Sequence, residues 1–129
     1  MRHHRRRLKM TTRLDGFVEK GWGNELIFAT NDLYCGKLLR FKTGGKFSMH
    51  FHAVKDESWY VLSGKFILKT IDTETAAEFE RELNEGSSIR IKPLRPHQLI
   101  CLEEGIIIEV STPDSIADNY RIQAGDSQK

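Results

Sequence analysis

His50 and His52 stand two residues apart, Glu57 follows five residues later, and His97 lies behind a loop marked by Pro93 and Pro96. Strand side chains alternate with period 2, so a strand through Lys46–His52 sends His50 and His52 out of the same face. The stretch Ala53–Asp56 is long enough to turn the chain onto a neighbouring strand and bring Glu57 back. Three neutral imidazoles and one carboxylate form a borderline-hard donor set. It suits one divalent ion (Zn, Mn, Fe, Ni or Co) and can leave coordination positions open for a substrate. A single histidine on a polar face would signify little, but every histidine beyond residue 4 falls in this pattern.

The elements that must position these residues read as strands. Glu25–Ala29 and Leu33–Lys42 are β-prone, and a turn at Thr43-Gly44-Gly45 follows them. In Lys46–His52 the alternation places Phe47, Met49 and Phe51 on one face and Ser48, His50 and His52 on the other. Ser58–Leu62 and Phe66–Ile71 flank Ser63-Gly64-Lys65 and predict a hairpin. Glu78–Leu83 reads as a strand within the acidic stretch 72–85, followed by Ile89–Lys92, Gln98–Leu102 and Ile106–Ser111, with a turn at Glu103-Glu104-Gly105. Many short strands with Gly and Pro turns and little helix predict an all-β sandwich or barrel.

The chain has 129 residues and a net charge of +2, but that charge is uneven. Residues 1–13 hold six basic residues and no acid, leaving 14 bases against 18 acids over residues 14–129. The expected organisation is a basic, disordered tail (1–13) and one domain (14–129), since a chain this short builds a single core. The tail has no interleaved aromatics and reads as a solvated charge run, so neither nucleic acid nor a membrane is an expected partner. No stretch approaches the roughly 20 apolar residues of a membrane span. The N-terminus lacks a signal peptide's apolar segment, and Cys35 and Cys101 are too few for a disulfide framework, which fits a cytoplasmic location.

Gly44, His50, His52, Glu57 and Gly64 match without a gap the first motif of the cupin superfamily: Gly, five residues, His, one residue, His, three or four residues, Glu, six residues, Gly. Gly86, Pro93 and His97 resemble its second motif, with Cys101 where that motif has Asn. The resemblance implies a single cupin-type β-barrel (jelly roll) with His50, His52, Glu57 and His97 holding the metal inside. A narrower resemblance is to the cupin domain of type II mannose-6-phosphate isomerases. It rests on Lys20-Gly21-Trp22-Gly23, Ser48, Glu57-Ser58-Trp59, Ile91–His97, Ile108-Glu109-Val110 and Asp118–Arg121. The sequence departs from that family in having His50 for Gln, Lys55 for Arg and Gly21 for Pro.

This resemblance implies a metal-dependent sugar-phosphate isomerase, most directly one for mannose 6-phosphate and fructose 6-phosphate, working through a cis-enediolate. Such chemistry needs a base to move a proton between adjacent carbons. Glu109, between Ile108 and Val110 on an apolar strand, is the candidate. Pointing inward it would be desolvated and its pKa raised; pointing outward it would be a surface carboxylate. Lys55, Arg95 and Arg121 are candidate phosphate ligands, Arg121 with catalytic weight, and Ser48 is a candidate substrate contact. Trp22 and Trp59 could line a sugar site, although the area they bury favours core packing, and Tyr60 should face away from Trp59. A metal-dependent cupin oxygenase and a non-catalytic sugar- or metabolite-binding cupin are the alternatives. The resemblance also implies a homodimer, for which Glu25–Ala29 could supply a strand edge.

Overall fold

A computed structural model describes residues 16–129, so the proposed tail, with His3 and His4, lies outside the described residues. Nine strands follow in order: β1 (Phe17–Lys20), β2 (Gly23–Thr30), β3 (Cys35–Phe41), β4 (Met49–Phe51), β5 (Glu57–Ile71), β6 (Glu78–Asn84), β7 (Ser88–Ile91), β8 (His97–Ser111) and β9 (Tyr120–Gln123). One 3₁₀ turn, Asp126–Gln128, ends the chain. All pairings are antiparallel, and they curl into the expected all-β barrel. No helix among the described residues is long and apolar enough to cross a membrane.

Two long strands organise the barrel. β5 and β8 pair along nearly their whole length, from Glu57 opposite Ser111 to Thr70 opposite His97. Their first and last portions belong to different walls. The Glu57–Tyr60 part of β5 pairs β7, and its Lys65–Ile71 part pairs β6. The Gly105–Ser111 part of β8 pairs β3, while His97 at its other end pairs His50 of β4.

The two predicted turns, Ser63-Gly64-Lys65 and Glu103-Glu104-Gly105, are therefore bends in continuous strands, not hairpin ends. Register shifts interrupt the ladder between Val61 and Phe66. There Gly64 adopts a φ of 90°, and a Cβ on it would lie 2.7 Å from Gly105 Cα. A Cβ on Gly105 would in turn lie 2.1 Å from the Ser63 carbonyl oxygen. Two glycines let two backbones press together where both strands change wall. Glycine and short polar residues are also what a turn requires, so the sequence pattern does not distinguish the two.

Alternation along the strands fills one end of the barrel with an apolar core. Trp22, Leu39, Phe41, Trp59, Val61, Phe66, Leu68, Leu83, Leu99 and Ile107 are all buried there. Trp22 stacks on Phe41 with ring centroids 4.4 Å apart, and Phe66 meets Phe41 edge-on at 5.2 Å. Trp59 is buried and Tyr60 exposed, as period 2 requires. Both cysteines are free and buried, and burial pushes the Cys101 thiol up to about 11. Glu25–Ala29 is not a free edge, because β2 pairs β1 on one side and β3 on the other.

Candidate metal centre

The other end of the barrel holds a cavity of about 510 Å³ whose wall is charged. His50, on β4, is register partner to His97 on β8 and to Arg121 on β9. Pairing across one face brings these three side chains to the same side. His52 leaves the end of β4 on that side, and Glu57 opens β5. The imidazoles of His50, His52 and His97 each offer a ring nitrogen, all within 4.8 Å of one another.

Backbone carbonyls orient all three rings. His50 Nδ1 donates to the Ser48 carbonyl at 2.9 Å, His52 Nδ1 to that of Asp118 at 2.6 Å, and His97 Nδ1 to that of Arg95 at 2.8 Å. A carbonyl can only accept, so each Nδ1 carries the proton and each Nε2 presents a lone pair. Burial, then the neighbouring histidines, pull His50 down to about 3, and burial pulls His97 down to about 3, so both rings are neutral at pH 7. Burial also lowers His52.

Glu57 completes the set. Its Oε1 accepts from Trp59 Nε1 at 2.9 Å, while its buried Oε2 has no hydrogen-bond partner among the described residues. That oxygen lies 3.5 Å from His52 Nε2 and 3.6 Å from His97 Nε2. Ligand atoms around one tetrahedral metal, each about 2.1 Å from it, are separated by roughly 3.4 Å. An unpartnered carboxylate oxygen facing neutral imidazole lone pairs is a costly burial without a cation. Burial, then the charge of nearby Glu109, raises the Glu57 pKa well above the usual carboxylate range. The donor set fits a divalent ion.

The loop before β8 bears on two of these ligands. Leu94, between Pro93 and Arg95, adopts a φ of 69°, a conformation unusual for a branched side chain. Its N–H donates to the His52 carbonyl at 2.7 Å, one residue before the carbonyl that orients His97. A second loop, 112–119, closes over the other side. The Asp118 carboxylate accepts from the N–H groups of Ala53, Val54 and Lys55, fixing the turn between His52 and Glu57.

Glu109 points into the cavity and is 4% exposed. Burial alone would raise its pKa, the expected effect, but Lys55 and Lys37 beside it outweigh burial and hold it below its usual value. Lys55 Nζ lies 2.9 Å from Glu109 Oε2 and 2.8 Å from Asp114 Oδ1, so the ammonium considered for phosphate is committed to two carboxylates. Arg121 is exposed on the cavity wall, and Ser48 lines it while orienting His50. Arg95 is elsewhere: it is exposed, beside an outer cleft between β6 and β7, because its loop turns away before His97 turns in. Trp22 and Trp59 serve both readings, packed in the core and bordering the cavity.

Several cavity residues were not anticipated. Lys37 bonds Asp114 at 2.5 Å and lies 3.4 Å from Glu25. Asn119 and Gln128 border the cavity. Phe47 turns inward, its ring edge-on to His97 at 6.0 Å, because residues 47 and 48 precede the β4 ladder and escape its alternation.

The cupin domain family matches residues 37–111. This chain belongs to the cupin family. No curated relative matches it. Among solved structures, this cupin is similar to KdgF from Halomonas sp., at 19% identity and a TM-score of 0.63, over 80% of this chain and 84% of that one. It is similar to oxalate decarboxylase from Bacillus subtilis, at 22% identity and a TM-score of 0.69, over 81% of this chain but 29% of that one. CapF, a capsular polysaccharide assembling protein from Staphylococcus aureus, aligns at 16% identity and a TM-score of 0.71, over 84% of this chain and 32% of CapF. The Bacillus decarboxylase has Mn(II) centres. At these identities the likeness shows the fold.

Proposed function

We propose that this cupin is a metal-dependent enzyme that interconverts the aldose and ketose forms of a small sugar phosphate, with mannose 6-phosphate and fructose 6-phosphate as the first pair to test. The observation that supports this reading is that an ionised, buried carboxylate, Glu109, shares one cavity with the donor set of His50, His52, His97 and Glu57. A divalent ion bound there would polarise the adjacent carbonyl and hydroxyl oxygens of a sugar. Glu109, kept charged by Lys55 and Lys37, would accept the proton from the hydroxyl-bearing carbon next to the carbonyl and return it to the former carbonyl carbon, while the hydroxyl proton passes to the carbonyl oxygen. Arg121 at the exposed rim receives the phosphate, where guanidinium geometry suits bidentate contact. Lys55 and Arg95 have no phosphate role here: one is neutralised and the other is outside the cavity. A volume of about 510 Å³ suits a monosaccharide-sized ligand.

The test is to load the purified chain with each divalent metal and supply mannose 6-phosphate. Fructose 6-phosphate should appear, and Glu109→Gln should abolish turnover while metal content stays. No product from this or any other aldose–ketose phosphate pair would contradict the proposal. The same donor set also suits Fe(II) oxygen chemistry. Consumption of oxygen with turnover would favour that second reading.

A further inference from the structure

We propose that the slot between β6 and β7 binds a small amphiphilic anion, an aromatic body carrying one carboxylate. No residue borders both this slot and the metal cavity, so the slot stands apart from the reading of that cavity. Among the described residues β6 and β7 each pair with β5 and not with each other, and the two walls of the barrel part along that line. The gap between them holds about 270 Å³.

Register explains what faces the gap. Phe66 pairs with Leu83, Leu68 with Arg81, and Thr70 with Phe79. Cross-strand partners share one face of a sheet. Phe66, Leu68 and Leu83 are buried in the core, so Arg81 and Phe79 stand on the inward face of their strand. Yet Phe79 is 55% exposed and Arg81 is exposed, because no strand closes the gap in front of them. Ile89 and Ile91, register partners of the inward Trp59 and Glu57, form the opposite side. Core side chains thus open to solvent beneath an aromatic lip.

The rim is basic. Arg81, Arg90, Lys92 and Arg95 border the slot, against the single carboxylate of Glu80. Arg90 is held by Asp56 through two hydrogen bonds, and Glu80 faces Lys69 at 3.7 Å. Arg81, Lys92 and Arg95 form no ion pair among the described residues, within a domain where acids outnumber bases. Three uncompensated cations over an apolar floor complement a ligand that is anionic at one end and apolar at the other. Arginine at two of the three positions suits a carboxylate, and the Phe79 ring offers a flat surface to an aromatic body.

A small molecule fits better than a chain segment. Glu78, Glu80 and Glu82 take the alternate positions of β6, so an acidic peptide laid along its free edge would meet three carboxylates. Residues 1–13, with six bases and no acid, are repelled by the rim.

Hydrocinnamate is the probe, titrated into the full isotope-labelled chain and followed by calorimetry and amide NMR shifts. Saturable binding is expected with a dissociation constant below about 1 mM, with shifts confined to Phe79–Leu83 and Ile89–Arg95. Acetate and hydrocinnamyl alcohol, each lacking one half of the ligand, should bind at least about 10-fold more weakly. Arg81→Gln and Arg95→Gln should each weaken hydrocinnamate about 10-fold with the β-sheet circular dichroism retained, and Arg121→Gln, on the other cavity, should leave it unchanged. Arg81 decides the matter should Arg95→Gln disturb the loop before β8. Absence of saturable binding overturns the proposal. So does binding that Arg121→Gln removes and Arg81→Gln spares, which would place the anion in the metal cavity. Slot signals that shift on dilution of the chain alone also overturn it, by making the slot a contact between copies.

Discussion

Lys55 and Glu109 form an ion pair inside the barrel, Nζ to Oε2 at 2.9 Å, with both side chains nearly excluded from solvent. The pair keeps a buried carboxylate charged beside a metal-type donor set. Breaking it leaves Glu109 with Lys37 as the nearest compensating charge. Lys55→Met is therefore expected to destabilise the fold by about 3–5 kcal/mol, and Lys55→Met with Glu109→Gln by clearly less than the single change. Urea unfolding of the three proteins checks both statements.

Asp118 ties the loop over the cavity to the turn that separates two candidate ligands. Its carboxylate accepts N–H groups from Ala53 at 2.7 Å and Lys55 at 3.0 Å, and its own carbonyl orients His52. Asp118→Ala should lower stability, since its carboxylate accepts three backbone N–H groups and bonds to a charged acceptor are among the stronger ones. Loosening the orientation of His52 should also weaken metal binding by roughly 10- to 100-fold. Metal titration followed by calorimetry measures the second effect.

Asp114 gives the stability a specific acid limb. Burial opposes its charge, but Lys37 and Lys55 bring its pKa from 3.8 to about 2. A folded pKa below the unfolded one stabilises the native state above pH 3.8, and that contribution is lost as pH falls toward 2. With the side chain 38% exposed, solvent screening reduces the contribution to about 1 kcal/mol. Wild type and Asp114→Asn should differ by that amount at pH 7 and converge near pH 2, as read by denaturant midpoints.

Gly64 and Gly44 both have positive φ, at 90° and 84°, but their surroundings differ. A Cβ at Gly44 meets nothing within 4 Å, whereas one at Gly64 meets the backbone of Glu103, Glu104 and Gly105. Gly44→Ala should cost about 1 kcal/mol for backbone conformation alone. Gly64→Ala should cost at least about 3 kcal/mol, because β5 and β8 must also separate. Thermal unfolding of both variants compares the two.

The contrast between these glycines shows what the sequence could reveal. The alternation through Ser48, His50 and His52 was legible, as was the return of the chain to Glu57, and the histidines do gather. The β5 and β8 bends were not, because a Gly-containing bulge and a Gly-containing turn use the same residue types. Lys37 was legible in principle: it shares a period-2 face with the buried Cys35, Leu39 and Phe41, so a lysine stood on an inward face. Its partners Glu25 and Asp114 lie far away in the chain, and only the barrel brings them together. The direction of the Glu109 pKa failed for the same reason. Burial was inferable from its apolar neighbours, but the two lysines that outweigh burial arrive from β3 and from the turn before β5.

The central claim is that His50, His52, His97 and Glu57 together hold one divalent ion. The most direct measurement is metal stoichiometry by elemental analysis, after dialysis against each divalent metal, of the full chain and its His97→Ala variant side by side. The account predicts one ion per wild-type chain and near-complete loss in the folded variant. A wild-type chain that retains no metal, or a variant that retains as much as the wild type, would contradict it.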